Sequence, residues 1–160
     1  MIVAHLDMDA FFAAIEERDR PRLKGLPIVI GADPRDGRGR GVVSTANYKA
    51  REYGIHSAMP ISQAWELSEK ARRVGQPPAV FIETSGRHYS EVSAKIFDLI
   101  RKKVPKIEVL SIDEAFLDLS FLKNFEKAKK FCLALKKEIK THEHLTCSIG
   151  LGSNKLIAKI

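Results

Sequence analysis

Acidic side chains stand where a folding chain would least tolerate them. Asp7 and Asp9 close an apolar run that starts at Ile2, and Asp113 with Glu114 interrupts a second run from Val109 to Leu117. An unpaired charge is costly to bury, and clustered carboxylates raise one another's pKa unless a cation compensates. Mg²⁺ suits such a cluster: it takes oxygen ligands and commonly bridges one or two carboxylates to phosphates. Two such ions can activate a hydroxyl nucleophile and steady a departing pyrophosphate. Adjacent strand residues point to opposite faces, so Asp113 and Glu114 can serve one site only if the chain bends beside them, as at a hairpin turn. Each segment alone reads equally as a turn cap or a solvated hairpin tip. Their joint occurrence at strand ends favours a metal site.

The elements that must position these residues follow from periodicity. Ile2 to Met8 reads as a strand with Ile2, Ala4, Leu6 and Met8 on one face and Val3, His5 and Asp7 on the other. Asp9 is placed to cap a short helix through Phe11, Phe12, Ile15 and Glu16. Pro27 to Ile30 is a short strand, and residues 33–41 form a basic, Gly-rich loop. Ser44 or Thr45 is expected to cap a helix carrying Tyr48 and Arg51, and Ile61 to Leu67 forms another. After Pro77-Pro78 come a strand at 79–82, a helix on Tyr89, Val92, Ile96, Phe97 and Ile100, and the interrupted strand region 107–119. Asn124 caps a long helix with its stripe on Phe125, Ala128, Phe131, Cys132, Leu135 and Ile139; a strand at 146–151 and a helix from Asn154 complete the order. Without the insertion this is a split βαβ arrangement, an α+β, ferredoxin-like sheet with two helices on one face.

Composition narrows the class without naming a function. The 160 residues carry 27 Lys+Arg against 20 Asp+Glu, a net charge of +7, which hints at a polyanionic partner. No apolar run is long enough for a membrane span, so no membrane partner is expected. Asp7 and Asp9 fall where a signal peptide would have its apolar stretch. Cys132 and Cys147 form neither a disulfide framework nor a metal-ligand pattern, which points to a reducing, cytoplasmic compartment. Gly150-Leu-Gly-Ser-Asn-Lys lacks the third glycine of a dinucleotide fingerprint and the Lys-Ser/Thr pair of a P-loop. His142-Glu-His144 lacks helical ligand spacing and reads as a loop, and Lys129, Lys130, Lys136 and Lys137 read as the outer face of an amphipathic helix.

LDMDAFFAAIEE, STANYKAREYGIHSAMP, SIDEAFLDLS and GLGSNKLIAK, in this order, resemble the successive motifs of the Y-family DNA polymerases, the translesion group, in its polymerase IV-like branch. The resemblance implies a template-directed DNA polymerase that adds dNTPs to a primer 3′-end by a two-metal-ion mechanism. It implies a palm from about 1–10 and 79–160, with a small, mostly helical fingers insertion at 11–78. Position by position, Asp7, Asp113 and Glu114 match the catalytic and metal-binding acids, and Met8 the residue whose backbone carbonyl also contacts a metal. The cofactor implied is a pair of Mg²⁺ ions, with Mn²⁺ able to substitute. Phe11 and Phe12 match the aromatic pair at the nucleotide, Phe11 on the core side and Phe12 at the steric gate. A ring against C2′ leaves neither volume nor a hydrogen-bond partner for a 2′-hydroxyl. Thr45, Tyr48 and Arg51 match residues that grip the triphosphate, while Val42, Ala46 and Met59 are candidate contacts around the nascent base pair. Lys155 and Lys159, four apart, are read either as DNA-phosphate contacts or as a solvated helix face.

The resemblance implies primer-template DNA and dNTP as partners, a sliding clamp for the full-length protein, and, in a prokaryote, a nucleoid-associated place in the cytoplasm. The distal lysine of the triphosphate clamp, the thumb and the little-finger domain of that family have no counterpart in these residues, so a truncated catalytic fragment is expected. A nucleotide cyclase would share the carboxylates but have no use for a gate at Phe12. A noncatalytic split-βαβ nucleic-acid binder would need aromatics on its central strands as stacking platforms.

Overall fold

The computed structural model describes residues 1–160. In chain order the elements are β1 (Val3–Met8), α1 (Phe11–Asp19), β2 (Ile28–Gly31), β3 (Val43–Ala46), α2 (Tyr48–Arg51), α3 (Ile61–Arg73) and β4 (Val80–Glu83). They continue with α4 (Gly86–Arg101), β5 (Ile107–Val109), β6 (Glu114–Asp118), α5 (Phe125–Glu143), β7 (Cys147–Gly152) and α6 (Lys155–Lys159). The chain divides into two compact units, Met1–Asp9 with Arg87–Ile160, and Ala10–Gly86.

The first unit is built on an antiparallel sheet of order β5-β6-β1-β7. With α4 and α5 as its two crossovers, this is the split βαβ frame the element order predicts. Alternation decides what each face does. Ala4, Leu6, Ala115 and Leu117 are fully buried, as are the stripes of α4 (Tyr89, Ile96, Ile100) and α5 (Ala128, Leu135, Ile139). The other face carries Val3, His5 and Asp7 opposite Asp118, Phe116 and Glu114 on β6, and opposite Gly152, Gly150 and Ser148 on β7. Asn124 caps α5, accepting from the Lys127 N–H at 2.9 Å, and the four lysines of its outer face are exposed. The helix runs further than its sequence suggests. His142 and Glu143 lie in its last turn, and His144 closes it in the left-handed conformation at φ 55°.

The two glycines of β7 let α6 lie on that second face. A Cβ on Gly152 would sit 2.5 Å from the Ala158 nitrogen and 2.8 Å from the Ile157 carbonyl carbon. One on Gly150 would collide with the Ala158 carbonyl oxygen. Ala158 packs into the space so freed, against Val3 and Phe116. The glycine pattern therefore serves close helix–strand approach rather than a phosphate loop.

The second unit holds α1, α2, α3 and a three-stranded sheet of order β3-β2-β4, with β3 antiparallel and β4 parallel to β2. Its core is Val29, Val43, Ala46, Ala50, Ile55, Met59, Ile61 and Ala64. Three local readings of the sequence change here. Ser44 and Thr45 belong to β3, and the cap of α2 is Asn47. Asn47 also ties strand to helix: its Oδ1 accepts from Ile28 N–H at 2.9 Å and Ala50 N–H at 3.0 Å, and its Nδ2 donates to the Leu26 carbonyl at 2.8 Å. The N-cap of α1 is Ala10, at φ 45° and without a side-chain cap, because the Asp9 carboxylate accepts from Ser148 Oγ at 2.8 Å instead. Because β4 pairs with β2, this unit continues to Gly86, past the break suggested at Pro77-Pro78.

Candidate active site

Asp7 lies near the end of β1, directly opposite Glu114, the first residue of β6. The chain turns between β5 and β6, with the N–H groups of Leu110 and Ser111 both donating to the Glu114 carbonyl at 2.9 and 3.3 Å. Asp113 sits inside that turn, so the strand rule that would send it to the opposite face no longer applies. The Ser111 hydroxyl donates to Asp113 Oδ1 at 2.6 Å, and the Met8 N–H donates to the Asp113 carbonyl at 3.0 Å. Backbone and side chain together thus fasten the turn to β1, bringing Asp7, Met8, Asp113 and Glu114 to one end of the sheet.

The electrostatics of these acids are unequal. Partial loss of hydration over the sheet raises the Asp7 pKa above its ordinary value, and the charges of Asp113 and Glu114 push it further up, with His5 opposing. Glu114 is held below the ordinary carboxylate value, first by a hydrogen bond from Lys159 and next by one from His5. His5 Nε2 lies 2.6 Å from Glu114 Oε1, and Lys159 Nζ donates to the same oxygen. Lys155, one turn earlier, pairs with Glu108 and stands 5.4 Å from the centroid of the Phe116 ring. Both lysine side chains are about half exposed, and each is paired with a carboxylate.

These residues fit a hard divalent cation. The donor atoms of His5, Asp7 and Glu114 lie within 4.8 Å of one another, and the carboxylates and Met8 carbonyl supply the oxygen-rich set such ions take. Burial first, and then the charges of Asp113 and Glu114, raise the pKa of Asp7, and a bound cation would favour its ionised form against both. His5 is the member that reasoning from sequence passes over. The available signal was alternation, which puts His5 on the face of Asp7; its partner lies 109 residues away.

The second unit holds the other candidate residues. Phe11 is buried at 2% exposure and Phe12 is half-buried, their ring centroids 5.8 Å apart. Thr45 is half-buried on β3. Tyr48 and Arg51 are exposed on α2, with the guanidinium carbon 4.9 Å from the Tyr48 ring centroid. Arg51 Nε donates to the Ala46 carbonyl at 2.9 Å, which fixes the fork while leaving its terminal amino groups for another acceptor. Ala46 and Met59 are core residues, whereas Val42 is half exposed.

An antiparallel split-βαβ sheet is a frame that nucleotidyl-transferring palms share with binding modules, so the frame alone does not name the activity. Residues 6–160 match the impB/mucB/samB family, and the chain belongs to it. It is 48% identical over 160 residues to DNA polymerase IV 2 of Methanosarcina mazei, covering 99% of this chain and 41% of that protein. It is 47% identical over 159 residues to DNA polymerase IV of Streptococcus mutans, with 99% and 41% covered. The chain thus spans about two fifths of the length of these relatives. Among solved structures, DinB from Sulfolobus solfataricus superposes with a TM-score of 0.85 at 35% identity, covering 99% of this chain and 44% of that one. An insertion ternary complex of Dbh DNA polymerase gives 0.87 at 36% identity, with the same coverage.

Proposed function

We propose that the chain is the palm and fingers of a translesion DNA polymerase, acting on primer-template DNA and dNTP in the cytoplasm. The observation that carries this reading is the convergence of Asp7, Asp113 and Glu114 at one end of the β5-β6-β1-β7 sheet. Relatives named DNA polymerase IV and a neighbour described as an insertion ternary complex support it. In this reading the unit of 1–9 and 87–160 is the palm and the unit of 10–86 the fingers.

Asp7, Asp113, Glu114 and the Met8 carbonyl would hold two Mg²⁺ ions, or Mn²⁺ in their place; once bound, these would supply activation of a primer 3′-hydroxyl and charge neutralisation for a leaving pyrophosphate. The chain's own residues position and exclude. Asp7 and Glu114 stay fixed by strand pairing, and Asp113 by Ser111. In the fingers, the Arg51 fork, stacked on Tyr48 and anchored at Ala46, is suited to bidentate contact with triphosphate oxygens, with Thr45 on the strand that leads into α2. Phe12, backed by buried Phe11, serves as the gate against a 2′-hydroxyl.

The test is template dependence. Given a primer-template with one unpaired template base and each dNTP separately, the protein should extend with the complementary nucleotide, and Phe12→Ala should add ribonucleotides more readily. Nucleotide turnover indifferent to the template base would refute the polymerase reading, and unchanged sugar discrimination in Phe12→Ala would refute the gate.

A further inference from the structure

His5 occupies a position at the carboxylate site that the three acids alone do not explain. It lies on β1 two residues before Asp7 and on the same face, opposite Phe116. The residue is 8% exposed, and its ring packs against Phe116 with centroids 5.0 Å apart at 51°. So held, its Nε2 reaches diagonally to Glu114 Oε1 at 2.6 Å. Lys159 reaches the same oxygen from α6, a helix that the glycines of β7 bring down onto this face. Two donors thus converge on Oε1 and restrain the carboxylate.

We propose that His5 is a positioning residue for the metal site, donating its Nε2–H to Glu114 and acting with Lys159 to present the other Glu114 oxygen as ligand; this rests on the polymerase reading above. Hydrogen bonds from outside the ligand shell orient ligating carboxylates, and their loss typically costs about 10–100-fold in metal affinity or activity. The rival role for His5, direct ligation, is chemically available, since its donor lies within 4.8 Å of the Asp7 and Glu114 donors. Geometry disfavours it at Nε2, which is already at hydrogen-bond distance from Glu114 Oε1. His5 is also a cleaner probe than Lys159, because removing the lysine deletes a positive charge that itself opposes cation binding.

The experiment is Mn²⁺ binding followed by electron paramagnetic resonance, with spin-echo detection of nitrogen coupling. Glutamine places an amide N–H where His5 Nε2 lies, whereas asparagine is too short to reach Glu114. His5→Gln should bind Mn²⁺ within about twofold of wild type, and His5→Asn about tenfold more weakly, with no directly bound nitrogen in the wild type. Wild-type affinity in His5→Asn would overturn the proposal. So would the coupling of a coordinated imidazole in the wild type, a result that needs no variant to fold. Asp7→Asn separates the two readings: if it too binds like wild type, the carboxylate site itself fails, whereas if it loses Mn²⁺ while His5→Asn does not, only the role of His5 does.

Discussion

Replacing Gly152 with alanine should undock α6 from the sheet and loosen Glu114 without touching an acid. The new Cβ would lie 2.5 Å from the Ala158 nitrogen, 2.8 Å from the Ile157 carbonyl carbon and 2.9 Å from the Ile157 Cβ. Ordinary van der Waals contact begins near 3.4 Å, so α6 must retreat by roughly 0.9 Å, and all three obstructing atoms belong to one short helix. Overpacking of this kind costs about 1–3 kcal/mol. The chain can avoid it by releasing α6, which limits the loss to what docking contributes. That contribution is burial of Ala158 against Val3 and Phe116, the partly exposed pairs Lys155–Glu108 and Lys159–Glu114, and Lys155 over Phe116. Exposed pairs add roughly 0.2–1 kcal/mol each and an exposed cation–π contact about 0.5–1, so both routes converge on about 2 kcal/mol. For a chain of this size that lowers Tm by roughly 4–8 °C. Calorimetry measures it, with Gly86→Ala as control: that Cβ meets nothing within 4 Å at the start of α4, and alanine there should be neutral or slightly stabilising. A Gly152→Ala protein melting with the wild type would refute the close-approach argument.

Three further outcomes follow from single groups. Asn47→Ala leaves the buried Ile28 and Ala50 N–H groups without their acceptor and should cost about 2–4 kcal/mol in urea unfolding; a loss below about 1 kcal/mol would contradict its role as a tie. Asp7→Asn should raise the metal-free Tm at pH 7 while abolishing nucleotidyl transfer, because the folded state raises the pKa of Asp7 and so pays to ionise it; a lower Tm would show that Asp7 is well compensated. Glu114 has the opposite sign. Its folded pKa lies below its unfolded value, so its contribution is present above the unfolded value and fades as pH falls through the folded one. The difference in Tm between wild type and Glu114→Gln should therefore shrink on acidification, and a difference constant down to pH 3 would refute it.

Much of the site is legible in the chain because charge at apolar strand ends is expensive and so conspicuous. Asp7 and the Asp113-Glu114 pair stand out on that ground alone, and the conflict between adjacent strand residues correctly demands the turn that the structure places from Leu110 to Asp113. Strand β3 is hidden by its polar residues: Ser44 and Thr45 are good helix caps, and only pairing with β2 and the triple engagement of Asn47 make them a strand. Asp9 misleads similarly, since its best acceptor geometry is toward Ser148, 139 residues away. Lys155 and Lys159 resist reading because five helical residues carry no decisive periodicity, and the face that docks is chosen by Gly150 and Gly152. His5 shows the general limit. Alternation reveals which face a residue shares, while its function depends on a partner that only the folded register supplies.

In the proposed function, Asp7, Asp113 and Glu114 constitute one catalytic centre for template-directed synthesis. Primer extension in Mg²⁺ is the decisive assay, comparing wild type with Asp113→Ala at matched folded concentration. Single-nucleotide extension is expected of the wild type, with a loss of at least about a thousandfold in Asp113→Ala. Extension by Asp113→Ala at the wild-type rate would contradict it.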